Sequence, residues 1–366
     1  MKLTRENLLA AVRSCARVVD KAHTLPALTH LRITRDATGT HFTGTDLVIF
    51  LTHTIPDPPA VGELGIRLAA MRAESEACDF LAPLATLERC VRVADAGTTV
   101  DLNAEAVRFT MNGMDCRVPV LSAPPDKFPA LPELTARKAA PWCVTADAYQ
   151  AIQRARPCIS KDETRYVLNG IYWDSTGSIV ATDGRRLFRS SGHPSAPDVI
   201  IPTEAVGLIE ENMEADTDGV TVEMHSLTVR LYAKLVAGIY PNYRQVIPTY
   251  EDLPRIRVNG DLVGKNLARL TPPTTAPSVK LHCLGGQSMR FSMSDGTNFT
   301  APIRLMQGSA PAPKQCCSFN PSFLAEGLLA GFDTMHLDFK DAHTPATLTN
   351  RTARDLYVLM PMRLSP

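Results

Sequence analysis

The 366-residue chain contains no run of 18 or more apolar residues, which excludes an ordinary membrane-spanning helix. Its opening MKLTRENLLAAV is interrupted by Arg5 and Glu6, and Arg13 follows, so no secretory leader is expected there. The two absences together give a cytoplasmic expectation. Net charge is also lacking: 38 Lys and Arg balance 38 Asp and Glu. That balance excludes a uniformly basic nucleic-acid surface and leaves room for a local one. The nine cysteines form no CxxC and no Cys/His ladder with zinc-ligand spacing. An odd number of thiols in a chain this long fits a reducing compartment, where most act as small buried hydrophobes. No GxGxxG, P-loop, GxSxG, HExxH or HxE…CxxC pattern is present, so neither a cofactor nor a catalytic metal is expected.

What the chain does have is repetition. FTGTDLVI (42–49), SIVATDGRRLF (178–188) and MRFSMSDGTNF (289–299) each end an alternating apolar run on Thr/Ser-Asp, at Asp46, Asp183 and Asp295. A second signature follows in the same order: CRVPVLSAPPDKFPAL (116–131), YAKLVAGIYPNYRQVIP (232–248) and the terminal YVLMPMRLSP. Asp183, beside Thr182 and Arg186, is the most tempting catalytic carboxylate. Its recurrence at Asp46 and Asp295 reads better as a turn cap. His193, Asp198 and Cys158 are too scattered to suggest a triad.

Six helical segments are expected. The first follows Thr4 and carries Leu8, Val12, Cys15 and Val19. The second spans roughly 67–81. The third follows Thr145, with Tyr149 and Ile152. The fourth follows Pro202 and carries Val206, Ile209 and Met213. The fifth starts near Gly260, with Leu262, Leu267 and Leu270. The sixth is capped by Asn320, opened by Pro321 and stopped by Gly331. Strand and hairpin patterns lie between them, as in 165–182 and 219–236. The repeating unit is one helix plus short antiparallel strands, two units to a domain. The expected class is α+β, with domains 1–124, 137–248 and 255–366 separated by proline-rich stretches.

Six stretches then carry a specific resemblance: HTLPALTHLRI (23–33), FTGTDLVI (42–49), RYVLNGIYW (165–173), ATDGRRLF (181–188), YPNYRQVIP (240–248) and YVLMPMRL (357–364). In order and spacing they are similar to the bacterial DNA polymerase III beta subunit family, the sliding clamps. The likeness covers essentially the whole chain and thins in the third domain before Phe319. It implies a DNA-clamp fold of three similar domains and a ring of two head-to-tail subunits. Twelve helices would line the hole. It implies no catalysis but an accessory role to a DNA-directed DNA polymerase, with double-stranded DNA as cargo.

The same resemblance assigns two surfaces. A DNA-facing set is implied at Arg5, Arg13, Arg17, Lys21, His23, Arg67, Arg72, Arg154, Arg156, Lys161, Arg165, Tyr166, Lys265 and Arg269. A peptide-binding pocket is implied at Leu168, Thr182, Gly184, Arg185, Arg186, Leu187, Pro241 and Val246. The tail adds Val358, Met360, Pro361, Met362, Arg363 and Leu364. Short linear motifs of the polymerase, clamp loader and repair proteins would bind there, with Arg186 orienting the peptide. Methionine suits a wall that accepts several sequences. This chain departs from the family in several places. Val167 replaces an aromatic, Asp162 a neutral amide, and Thr203-Glu204 a basic pair. The fourth helical segment carries Glu204, Glu210, Glu211 and Glu214 with no basic residue, and Pro272, Pro273 and Pro277 crowd the segment that bears on ring closure. A non-encircling clamp-like module that recruits or competes for such peptides is the alternative; an enzyme with an unfamiliar site is a more distant one.

Overall fold

The structure, a computed structural model, describes residues 1–57, 78–111, 114–121, 128–134, 136–137, 140–285, 287–307, 316–341, 343–352 and 354–362. The chain divides into two compact units, Met1–Val144 with Gly207–Leu235, and Thr145–Val206 with Val236–Pro366.

The first unit holds two antiparallel sheets. An eight-stranded sheet runs in the order Asp79–Pro83, His30–Asp36, Gly39–Thr45, Ile49–Pro56, Val229–Lys234, Thr221–His225, Glu214–Thr217 and Trp142–Cys143. A four-stranded sheet runs Lys2–Thr4, Thr99–Leu102, Ala106–Met111, Met114–Pro119. Helix α1 (Arg5–Cys15) begins where Thr4 accepts the Asn7 amide, 3.3 Å away, and buries Leu8, Ala11, Val12 and Cys15. Helix α2 (Leu84–Val93) packs on α1 and buries Leu84, Leu87 and Val91, one helical face.

The second unit is built on one twelve-stranded antiparallel sheet, from Val199–Pro202 at one edge to Cys316–Phe319 at the other. Helices α3 (Ala146–Ala155), α4 (Thr203–Val206), α5 (Gly260–Leu270) and α6 (Pro321–Leu329) belong to it. Asn259 caps α5 through Leu262 N, and Asn320 caps α6 through Ser322 N and Phe323 N. Close packing of α5 on α6 depends on Gly264, where a Cβ would lie 2.9 Å from Leu329 and 3.3 Å from the Ala325 carbonyl.

Strand pairing runs across the boundaries expected from the repeats. Leu51 is paired with Leu231 in the first unit, and Leu187 with Val358 in the second. The units therefore follow continuous sheets, and the middle third of the chain contributes strands to both.

One helix expectation needs correction, and another falls largely on undescribed residues. Most of the segment at 67–81 lies outside the described residues, and its last part falls in the strand Asp79–Pro83, paired with His30–Asp36. The described second helix is α2, which the expectation missed. The fourth helix stops after one turn at Val206. Gly207 favours helix poorly, and Asn212, at φ 62°, turns the chain toward the strand Glu214–Thr217. Ile209 and Met213 are buried, but not on a helix. No described helix is long and apolar enough to cross a membrane.

Candidate functional site

The Thr-Asp copies of the signature fold into one turn, and the Ser-Asp copy keeps part of it. Thr182 Oγ1 donates to the Arg186 carbonyl and accepts from Gly184 N; Asp183 Oδ1 accepts from Arg185 N and Arg186 N. Thr45 and Asp46 make the matching bonds to Ile49 O, Leu47 N, Val48 N and Ile49 N. A copy not singled out from the sequence, Thr217-Asp218, does the same with Thr221 O, Gly219 N, Val220 N and Thr221 N. At Asp295 the carboxylate accepts from Thr297 N. These aspartates are turn caps, and the catalytic reading of Asp183 falls away.

The residue after each capping aspartate has positive φ: 82° at Gly184, 87° at Gly219, 91° at Gly296 and 78° at Leu47. A side chain at Gly184 would be strained by this backbone, and its Cβ would sit 2.7 Å from the Arg165 guanidinium. Gly184→Ala is expected to lower stability by about 1 kcal/mol. Urea denaturation of the full chain measures it; an unchanged midpoint would discard the strain argument.

Beside this turn, the second unit contains an apolar pocket of about 220 Å³. It is lined by Leu168, Thr182, Gly184, Arg186, Leu187, Pro241, Asn242, Tyr243, Val246, Val358 and Met360. Its floor continues into a cluster of Val180, Ile200, Tyr240 and Leu356, with Tyr240 stacked on Tyr172 at 4.6 Å between ring centroids. The tail reaches the pocket because Asp355–Leu359 pairs with Arg186–Ser190, after which Met360 N donates to Arg185 O at 2.9 Å.

Nine of the expected pocket residues therefore line one cavity: Leu168, Thr182, Gly184, Arg186, Leu187, Pro241, Val246, Val358 and Met360. Arg185 lines a neighbouring, more polar cavity instead. Met362 N is bonded to Ser318 O, and neither it nor Pro361 is in the lining. Arg363 and Leu364 lie outside the described residues. Asn242 and Tyr243 line the pocket and were missed, although both lie inside the YPNYRQVIP stretch.

Arg186 differs from its expected use. Its side chain is only 8% exposed and its nitrogens are already engaged. Nε donates to Asp183 at 3.1 Å, and the two terminal nitrogens donate to Glu326 and to the Pro157 carbonyl. The guanidinium also lies 4.1 Å from the Phe323 ring centre. It ties the turn to α6 and builds the wall from behind, rather than pointing a free fork at a ligand.

Tyr243 is held by a second buried group. Asp174, 2% exposed, accepts from Tyr243 Oη at 2.9 Å and from Arg244 at 2.8 Å. It also accepts from the Thr176 and Ser178 amides and the Thr176 hydroxyl. Burial alone would raise this carboxyl, but the hydrogen bonds prevail and hold it below its ordinary value.

The first unit has a cavity walled by the matching signatures: Leu25, Pro26, Ala27, Leu28, Leu47, Leu81, Leu121 and Pro129, about 430 Å³. At the position of Arg186 it has Ile49, so this turn lacks the ion pairs of its counterpart.

The expected DNA-facing residues divide by their partners. Arg13, Arg156 and Arg269 are exposed and make no ion pair among the described residues; Lys161 is the same. Others are partnered within the protein: Arg5 with the Val91 carbonyl, Arg17 with that of Gly207, Lys21 with Glu88, and Lys265 with Asp261. Arg154 is paired with Asp355, and Arg165 with Asp162. His23 Nδ1 accepts the Leu25 amide, and Tyr166 is exposed. Arg67 and Arg72 lie outside the described residues. Arg156, Lys161, Arg165 and Arg185 share the rim of a cavity of about 770 Å³, where Asp162, Asp183 and Glu326 offset part of their charge.

Among the described residues, the candidates for a catalytic set do not converge on these surfaces. His193 meets Ser190, Nε2 to Oγ 2.7 Å, and burial, with Arg354 nearby, pushes it down to about 4. Asp198 accepts from Tyr172 and the Ser175 amide, and burial pushes the Cys158 thiol up to about 12. Among the described residues, no group of three or more His, Cys, Asp or Glu is placed to hold a metal ion.

Comparison with known proteins gives one consistent result. No protein-family model matches the chain. It is similar to the beta sliding clamp of Caulobacter vibrioides, 25% identical with all of both chains covered. The beta sliding clamp of Chlamydia muridarum is 24% identical, with 99% of this chain and 98% of the relative covered. That of Bacillus subtilis is 28% identical over 68% of each chain. Among solved structures, the Bartonella birtlesii sliding clamp (DNA polymerase III subunit beta), bound to griselimycin, superposes with a TM-score of 0.80 at 24% identity. It covers 100% of this chain and 99% of its own. The Pseudomonas aeruginosa DNA polymerase III subunit beta also gives 0.80, at 20% identity and full coverage of both.

Proposed function

We infer that this chain, a divergent member of the beta sliding clamp family, is a DNA sliding clamp that tethers a replicative polymerase and other replication and repair proteins to duplex DNA. The observation that carries the reading is end-to-end correspondence with clamps in both sequence and fold. The chain is read as three repeats, 1–124, 137–248 and 255–366, and as a non-catalytic accessory subunit without a cofactor. Two copies would close head to tail, the first domain of one meeting the third of the other.

A ring holds DNA by enclosure, so its contacts need only be weak and sequence-independent. Exposed Arg13, Arg156, Lys161 and Arg269 can attract phosphate, while the internally paired cations contribute less field. With the acidic residues around Glu204 and Glu210, this supports a weak, uneven attraction suited to sliding. Partners would enter the apolar pocket of the second unit. Leu168, Leu187, Val358 and Met360 supply a surface for spaced aliphatic or aromatic anchors of a short peptide.

The decisive experiment loads the protein onto nicked circular DNA and then linearises it. Retention on the circle and loss from the linear form are expected. Equal retention on both would sink the encircling reading and favour a clamp-like binding module. Sedimentation is expected to give about twice the 39.8 kDa chain mass.

A further inference from the structure

We propose that Cys90 and Cys116 are a redox pair, forming a reversible intrachain disulfide that tethers α2 to the strand Met114–Pro119. The two sulfurs face each other 3.8 Å apart, across 26 positions of sequence. Bonding them requires closing that gap to about 2.05 Å. Both residues are partly exposed, so a small oxidant can reach them.

Four other cysteines provide a contrast. Burial pushes the thiols of Cys15, Cys158 and Cys317 up to about 12, which leaves them inert. Cys316 and Cys317 are neighbours in sequence, but they sit on a strand, where successive side chains point to opposite faces. Cys316 is accordingly partly exposed and Cys317 buried.

Glutathione disulfide is a sufficient oxidant. The Cys116 thiolate attacks one of its sulfurs and releases one glutathione thiolate, leaving a mixed disulfide. The Cys90 thiolate then attacks the Cys116 sulfur and releases the second. Two protein thiols are oxidised, one glutathione disulfide is reduced to two thiols, and the two protons pass to the leaving groups. Cys90 suits the second step. Burial and the adjacent Cys116 thiol push it up to about 11, so it reacts slowly with free oxidant. Once its partner is activated, it is already in place.

The test treats the full chain with glutathione disulfide and maps its peptides by mass spectrometry without reduction. A cross-linked peptide joining Cys90 to Cys116, lost on adding dithiothreitol, is the expected result. The Cys90→Ser chain is expected to arrest as a glutathione adduct on Cys116. A stable adduct on the wild-type pair, a link from either residue to another cysteine, a covalent dimer through them, or two thiols left unreacted would each overturn the proposal.

Discussion

Replacing Arg186 by alanine is expected to cost about 3 kcal/mol of stability. Three hydrogen bonds end on this guanidinium, and two of their acceptors, Asp183 and Glu326, are carboxylates. Each charge-assisted bond contributes roughly 1.5–3 kcal/mol. Part of the loss is offset because the two carboxylate side chains are 18% and 41% exposed and regain water. Arg186→Lys is expected to recover less than half of the loss. One ammonium cannot serve acceptors in three directions, nor lie flat on Phe323.

The same substitution separates two roles for the residue. If Arg186 builds the wall from behind, stability and peptide affinity fall together, because the turn carrying Gly184 and Leu187 loses its anchor. Met360→Lys supplies the opposite profile. Met360 is 43% exposed at the pocket, so on the proposed peptide-binding role a charge there is expected to lower peptide affinity about tenfold while the urea midpoint stays near wild type. Urea denaturation beside a fluorescence titration with a clamp-binding peptide measures both. An Arg186→Ala protein with wild-type stability and abolished binding would falsify the wall role and make the guanidinium a direct reader of the peptide.

This distinction was beyond the reach of the sequence. Local patterns were legible: the caps at Thr145 and Asn320, and the Thr-Asp turns that recur along the chain. Most of the pocket was legible too, because its walls come from four short stretches that each resemble the family. What local pattern does not encode is pairing at a distance. Glu326 lies 140 positions from Arg186, and Tyr243 lies 69 from Asp174. Neither pair is visible in a motif. Helix α2 was missed for a different reason. Its stripe of Leu84, Leu87 and Val91 begins directly after the strand Asp79–Pro83, and Pro83 before it offers no side-chain cap to mark the start. The fourth helix was drawn too long because buried Ile209 and Met213 mimic helical spacing after Gly207 has ended it.

Asp174 gives the second large effect, and here the sign of the pH dependence is a test in itself. Asp174→Asn is expected to lower stability by about 3 kcal/mol at neutral pH. The amide would set an NH2 group among the donors of Thr176, Ser178, Tyr243 and Arg244, leaving at least one of them without an acceptor. Because the folded carboxyl is held below its ordinary value of 3.8, ionised Asp174 stabilises the fold fully at pH above that value. The contribution is lost as pH falls from there through the lower folded value. The gap between wild type and Asp174→Asn should therefore be constant between pH 6 and 8 and narrow below about pH 4. Urea titrations of both proteins across that range measure it; a gap that persists unchanged at the acid end would mean that the carboxylate charge is not what holds this network. Tyr243 forms part of the pocket wall, so the neutral-pH loss should appear in peptide affinity as well. Asp174 lines no part of the cavity, and that joint loss would place the fit of the binding wall under the control of a buried carboxylate behind it.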